Sequence, residues 1–317
     1  DNALRYGHAP VYCTTDTPPE DADVVPMASM DVTSFSYACR DTLAEISRLR
    51  GDGRESEWRE KADAVAANLK ARLWDDKRHA CFDRDKHGKT IDVLCHNTLR
   101  CMYWGSISQE MADAFVRQHL LNPQEFWTPL PLPSVAVNDP MFRNAPENNW
   151  SGQCEGLTYQ RAIIALERYG YEPLVTKLGR KLLDAIIRGG YVFTQQFDPF
   201  TGEPSRVGMV SHEVLSRDSD EPFQDSYGPT LLAALEYIAH IWGIALVGDE
   251  VWFSLGLGLS YTYAQRFGDD VYEIKSDGRS GTIYKNRIAV GSEPCGVRLV
   301  TNRDGKILRT VKIEEGV

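Results

Sequence analysis

Apolar residues recur at helical spacing through seven stretches of the chain and then, beyond Trp242, in short alternating runs. Residues 1–30 have no such period and several prolines, which predicts a long surface loop, functional or disordered at that length. Asp31 stands where it would cap a helix over 32–50, with Phe35, Ala38, Leu43, Ile46 and Leu49 at near-helical spacing and Gly51-Asp52-Gly53 as its stop. A second helix is expected over 56–73, striped by Trp58, Ala62, Val65, Leu69 and Leu73. Residues 74–85 read as a turn with a short extended piece. Helices follow over 93–103 and, behind the N-cap Ser108, over 109–120. A proline-rich crossing, residues 126–149, leads to further helices at 157–169, 173–187 and 229–242.

Short connections alternate with long, polar, aromatic ones. Helical hairpins stacked in this way close into a toroid or leave an open bundle, and spacing alone admits both. In the toroid the long loops gather on one face, and function concentrates on loops held by a rigid scaffold. Beyond Trp242 the runs 251–253, 261–263, 271–274, 282–284, 296–301 and 307–313 are β-branched and aromatic. Turn signals such as Ser276-Asp277-Gly278 and Arg303-Asp304-Gly305 separate them. They predict a small antiparallel sheet without a catalytic constellation, so the chain divides into a helical domain, 1–248, and a β domain, 249–317.

With 317 residues, 42% of them hydrophobic, the chain has material for a sizeable core. Its net charge is -10, with acids spread along the length and no polybasic run, which argues against nucleic acid or an anionic membrane as partner. No apolar run reaches the roughly 18 residues of a membrane span. The seven cysteines are scattered, form no CxxC pair and are odd in number, which fits reduced thiols and leans toward a cytoplasmic setting. Cys95-His96 and His79 lack a zinc spacing, so His96 reads as structural and neither metal nor cofactor is expected.

The richest stretch is 148–161, a polar and aromatic loop running into a helix N-terminus, where free backbone N–H groups favour a carboxylate. Trp150 offers a flat face, Gly152 close approach, and Gln153 and Glu155 hydrogen bonds and charge. Tyr6, Trp127, Tyr159, Phe197 and Tyr227 also fall near junctions of loop and helix. Aromatic rings that stack on sugars, beside amides that bind hydroxyls, suit hydrolysis of a glycosidic bond. Inversion then needs two carboxyl groups about 6.5–9.5 Å apart, one as acid and one as base for a water. Asp1, with Asn2 and Arg5 to order it, is one candidate; as an acid it needs burial to raise its pKa. Glu155 is the other, with a capping carboxylate or a partner for Arg161 as its structural alternative. Gln195 and Gln196 cannot accept a proton, so they bind a hydroxyl or orient a water. Asp198, Asp220, Glu221 and Asp225 read as solvated or capping acids; Asp225, at the start of the last helix, is kept as a substrate contact.

Three of these elements together resemble the (α/α)6 six-hairpin glycosidases of the clan that contains glycoside hydrolase family 63, mannosylglycerate hydrolase and, more distantly, trehalase. Asp1-Asn2-Ala3-Leu4-Arg5-Tyr6-Gly7 resembles the family's Asp-Asn-Ser/Ala-x-Arg-Trp/Phe element, whose Asp is the general acid. Asn149-Trp150-Ser151-Gly152 resembles its sugar-binding Tyr-Trp-Arg-Gly element, and Thr194 to Gly202 resembles its Glu-Asn-Tyr-Asp-Pro-x-Thr-Gly element, whose Glu is the general base. The resemblance spans 1–245 and places the family's first helices before Asp1. It implies an (α/α)6 toroid lacking those helices, and an inverting hydrolase of an α-linked glycoside or oligosaccharide. Asp1 would be its acid, and Asn2, Arg5, Tyr6, Trp127, Trp150, Gln153, Gln195, Gln196 and Asp225 would touch substrate. Two positions depart from the pattern. Ser151 stands where the family has Arg, and Gln195 stands where it has the base. Either Glu155 has taken over the base, or the chain is a non-catalytic carbohydrate-binding protein on the same scaffold; a helical scaffold for protein partners is the third reading.

Overall fold

Helix α1, Met30–Arg50, starts behind Ser29 and ends where Gly51 turns left-handed at φ 64°. Asp31 is therefore inside the helix and does not cap it. Its carboxylate is used inward, accepting the Trp104 indole N–H at 3.1 Å and facing Arg100 at 3.5 Å. Beyond Met30 at its start, the face α1 buries is small and polar (Asp31, Ser34, Ala44, Ser47), while Val32, Phe35, Leu43, Ile46 and Leu49 are exposed. Small side chains permit close packing, and Ser106 Oγ donates across it to Ser34 Oγ at 2.7 Å. The structure is a computed structural model that describes residues 28–85, 87–144, 152–205 and 227–314.

Helix α2, Glu55–Arg72, returns along α1 and turns Ala62 and Leu69 inward, as its stripe predicts. A two-residue hairpin follows, β1 (Trp74–Asp75) with β2 (Ala80–Cys81). Helix α3 spans Thr98–Trp104, shorter at its start than the periodicity suggests. Residues before it pair with distant backbone instead: Cys95 bridges Val135 and His96 N–H donates to Ser134 O at 3.2 Å. Helix α4, Gln109–Phe115, is capped by Ser108, whose side chain accepts from Met111 N–H, and it widens into a π-helical turn, Val116–Leu120. Strand β3, Cys154–Glu155, leads into α5, Gly156–Glu167, and β4 is Gln196–Phe197. Helix α3 packs on both α1 and α5, so these three helices stand in one row.

The chain forms two compact units, Asp1–Tyr169 with Ala185–Thr230, and Gly170–Asp184 with Leu231–Val317. The second holds most of α6 (Glu172–Arg188) and of α7 (Gly228–Trp242). These two cross closely at Gly179, where a Cβ would meet the Tyr237 ring at 2.3 Å. The expected antiparallel sheet is present as two four-stranded sheets. One has the order β12-β11-β6-β5 and the other β10-β9-β8-β7, with β5 Ile244–Val247, β6 Glu250–Leu255, β7 Ser260–Phe267, β8 Asp270–Asp277, β9 Ser280–Lys285, β10 Ile288–Pro294, β11 Val297–Asn302 and β12 Ile307–Lys312. Val251, Phe253 and Leu299 of the first meet Tyr272, Ile274 and Ile283 of the second in one buried core.

Candidate active site

Proline at 133 favours an extended residue before it, yet Leu132, between Pro131 and Pro133, is held left-handed at φ 68° while fully buried. A branched side chain in that region costs about 1–3 kcal/mol, so the surrounding packing must hold it there. The hold is visible: Leu132 N–H donates to Phe126 O at 2.8 Å, Tyr159 OH to Pro131 O at 2.6 Å and Leu130 N–H to Pro199 O at 3.0 Å. The crossing then lies along β3, with Pro133 bridging Cys154 and Ser134 N–H donating to Gln153 O at 3.1 Å.

On its other side β3 pairs antiparallel with β4, Cys154 opposite Phe197 and Glu155 opposite Gln196. Gly156 N–H continues the ladder to Gln195 O at 3.1 Å. The proline-rich crossing, the segment around Glu155 and the segment around Gln196 are thus neighbours through backbone hydrogen bonds. Glu155 and Gln196 are completely buried and Gln153 nearly so, whereas Gln195 is half-buried. Glu155 occupies the N-cap position of α5, but its side chain makes no capping hydrogen bond.

Burial first, and the Glu155 charge second, push the Tyr227 phenol up to about 12, while the Arg100 guanidinium pulls against them. Arg100 is 3% exposed and reaches Asp31. Next to it His96 stands between Pro133 O (Nδ1, 3.3 Å) and Thr158 Oγ1 (Nε2, 3.2 Å). Burial and then the Arg100 charge push that imidazole down to about 3, so it is neutral near pH 7, as a structural histidine should be. Arg100, His96, Thr158 and the inward use of Asp31 escaped the sequence reading of the site. A lone Arg within an apolar seven-residue helix was the available signal.

Gln153 is fixed outside this cluster. Its Nε2 donates to Asn144 Oδ1 at 3.3 Å, and Asn144 Nδ2 donates to Asp198 Oδ2 at 2.7 Å. Burial would raise the Asp198 pKa, but the Asn144, Thr201 and Phe200 hydrogen bonds outweigh it and hold the carboxyl below its usual range. Asp198 is accordingly a turn-forming carboxylate, accepting Phe200 and Thr201 N–H at 2.7 and 2.9 Å. Trp127 is half-buried on the crossing, and its indole has no hydrogen bond or ring stack among the described residues. Asp1, Asn2, Arg5, Tyr6, Trp150 and Asp225 lie outside the described residues. Among the described residues no group of three or more His, Cys, Asp or Glu side chains could hold a metal ion.

Comparison with known proteins gives this arrangement a context. The family model of the mannosylglycerate hydrolase MGH1-like glycoside hydrolase domain matches residues 6–218. Among solved structures, the glycoside hydrolase family 63 mannosylglycerate hydrolase of Thermus thermophilus, in complex with glucose, is 20% identical with a TM-score of 0.50, over 66% of this chain and 46% of that one. Neutral trehalase of Saccharomyces cerevisiae is 14% identical with a TM-score of 0.52, over 66% and 37%. A protein described as a sialidase is 14% identical with a TM-score of 0.61, over 86% and 26%. The chain spans less than half the length of each, and at these identities the likeness is one of fold.

Proposed function

The chain belongs to the mannosylglycerate hydrolase MGH1-like glycoside hydrolase family, and from that membership we propose that it cleaves an α-linked glycoside or oligosaccharide with inversion. In this reading Asp1 protonates the leaving oxygen and Glu155 takes a proton from the water that attacks the opposite face of the sugar. The two carboxyls flank one bound saccharide about 6.5–9.5 Å apart. Gln195, in the family's base position, can donate to a hydroxyl or orient the water but cannot accept its proton. Asn2, Arg5, Tyr6, Trp127, Trp150, Gln153, Gln196 and Asp225 complete the sugar contacts, and the row of α1, α3 and α5 is an arc of an (α/α)6 toroid. No cofactor takes part.

The observation that carries the reading is the register of β3 against β4. It puts Glu155 directly opposite Gln196, on the same face of the ladder, and beside the Gln195 backbone, and this nearness to the family's base position supports Glu155 as the base. The Tyr227 phenol lies in the electrostatic field of both Glu155 and Arg100, which supports a polar setting for the buried carboxylate. The test is Glu155→Gln in the complete protein, assayed against a panel of α-glycosides, with NMR of the first-formed anomer. Loss of turnover with an unchanged melting transition and an inverted product in the parent enzyme are expected. Near-normal turnover rules Glu155 out as base.

Complete burial of Glu155, together with glutamine at 195, favours a second reading, a carbohydrate-binding protein without turnover on the same scaffold. Calorimetry separates the two: heat of binding to a glycan that the protein never cleaves would decide for the second.

A further inference from the structure

We propose that the helical unit holds a second, non-catalytic binding site for a neutral saccharide, in the cavity between the end of α2, the β1–β2 turn and α4. The cavity measures about 500 Å³, within the range of small-molecule sites, and shares no lining residue with the surroundings of Glu155. One wall carries Trp74, whose indole N–H is tied to Asp76 Oδ1 at 2.9 Å, so the orientation of the ring is set before a ligand arrives. The opposite wall carries Glu110, on the first turn of α4, and Arg117 and Gln118, on the π-helical turn.

Both walls have unusual backbone at the residues that line the cavity. His79 is held at φ 50°, and Arg117 and Gln118 belong to the π-helical turn, a geometry that recurs at functional sites. One buried side chain fastens the two walls together. His119, 5% exposed and on that same turn, places Nε2 on the Arg78 carbonyl, next to His79, while its Nδ1 meets Glu125 Oε2 at 2.6 Å. The cavity is therefore built into the unit and not left by loosely packed surface chains.

The lining chemistry selects the ligand. Lys70 and Arg117 balance Asp76 and Glu110, so an anion meets two carboxylates and a cation meets two positive charges. A neutral ligand avoids both penalties. Among the described residues the side chains of Lys70, Glu110, Arg117 and Gln118 have no hydrogen bond or ion pair, so their donors and acceptors are open to a ligand with many hydroxyls. An indole beside charged and amide groups offers an apolar sugar face a stacking surface and its hydroxyls their partners. The inference stands whether or not Glu155 is catalytic.

The test follows the tryptophan indole N–H resonances of the full chain, with Trp74 assigned through Trp74→Phe, during titration with glucose and with mannose, which have no glycosidic bond to cleave. A saturable shift of the Trp74 signal is expected, weakened about tenfold by Arg117→Met or Glu110→Gln through loss of one charge-assisted hydrogen bond, and retained in Glu155→Gln. Arg117 and Glu110 are exposed, so these variants keep the test sharp even if Trp74→Phe does not fold. The proposal is overturned if the Trp74 signal moves with neither sugar, if sodium phosphate moves it equally, or if both surface variants bind as the parent does.

Discussion

Gly156 and Thr230 meet so closely that a Cβ on the glycine would lie 1.7 Å from the threonine Oγ1. The contact presses the start of α5 against the first turn of α7, and the same hydroxyl donates to Thr194 O at 2.5 Å, two residues before β4. Gly156→Ala is expected to destabilise the helical unit by about 1–3 kcal/mol or more, read as a lower urea midpoint. Adding Thr230→Ala should restore only part of the loss, because the threonine Cβ and Cα would still be 2.7 and 2.9 Å away.

Asp31 and Arg100 form a buried pair, 5% and 3% exposed. Asp31→Ala leaves the guanidinium without that carboxylate and the Trp104 indole without its acceptor. The expected cost is about 3–5 kcal/mol by urea unfolding. Replacing both residues of the pair with apolar ones should cost less than the single change.

His96 makes stability depend on pH. In the unfolded chain a histidine takes its proton near 6.5, but the native His96 does so only near 3. Between those values the unfolded state binds more protons, so stability falls as pH drops, by about 1.4 kcal/mol per pH unit for this one group. Urea unfolding at pH 6, 5 and 4 should show His96→Gln with a shallower pH slope than the parent by that amount. Equal slopes would mean that the imidazole is already protonated in the fold.

Tyr227 gives a test of how Glu155 is held. Under the hydrolase reading, Tyr227→Phe removes a phenol from the field of that carboxylate. A fall of about tenfold in kcat with little change in KM is expected, against any glycoside that the parent cleaves. Parental kcat would remove the phenol from the mechanism.

Ser108→Ala removes an N-cap that the sequence marked and the structure contains. It is expected to cost about 1 kcal/mol in thermal or urea unfolding without affecting ligand binding.

Helix positions were legible because periodicity reports a buried face directly: α2, α4, α6 and α7 begin within about two residues of the spacing-based expectation. The start of α3 was not, because residues 94–96 satisfy their backbone with partners some 40 residues away, at Ser134, Val135 and Asp139. On α1 the apolar period was real but described the outer face, since the inner one, after Met30, is built from Ser, Ala and Asp. In the β unit, β5 and β10 were missed. The first follows α7 after one glycine, and the second carries a register shift at Ala289/Gly291 and ends on proline. At the candidate site the residues were legible but their meeting was not. Two-residue strands have no periodicity, so only the folded structure could place Glu155 opposite Gln196, whereas Arg100 stood out in sequence only as the one charge of an apolar helix.

Cys154 shares the ladder with Glu155, buried opposite Phe197 and donating to Leu130 O at 3.2 Å, and burial raises its pKa well above that of an ordinary thiol. Such a thiol reacts with alkylating reagents only when its strand comes loose. Its labelling rate therefore clocks the breathing of the β3–β4 ladder, with the exposed Cys39 as a fast internal standard. A mass spectrometer can follow both with no substrate present.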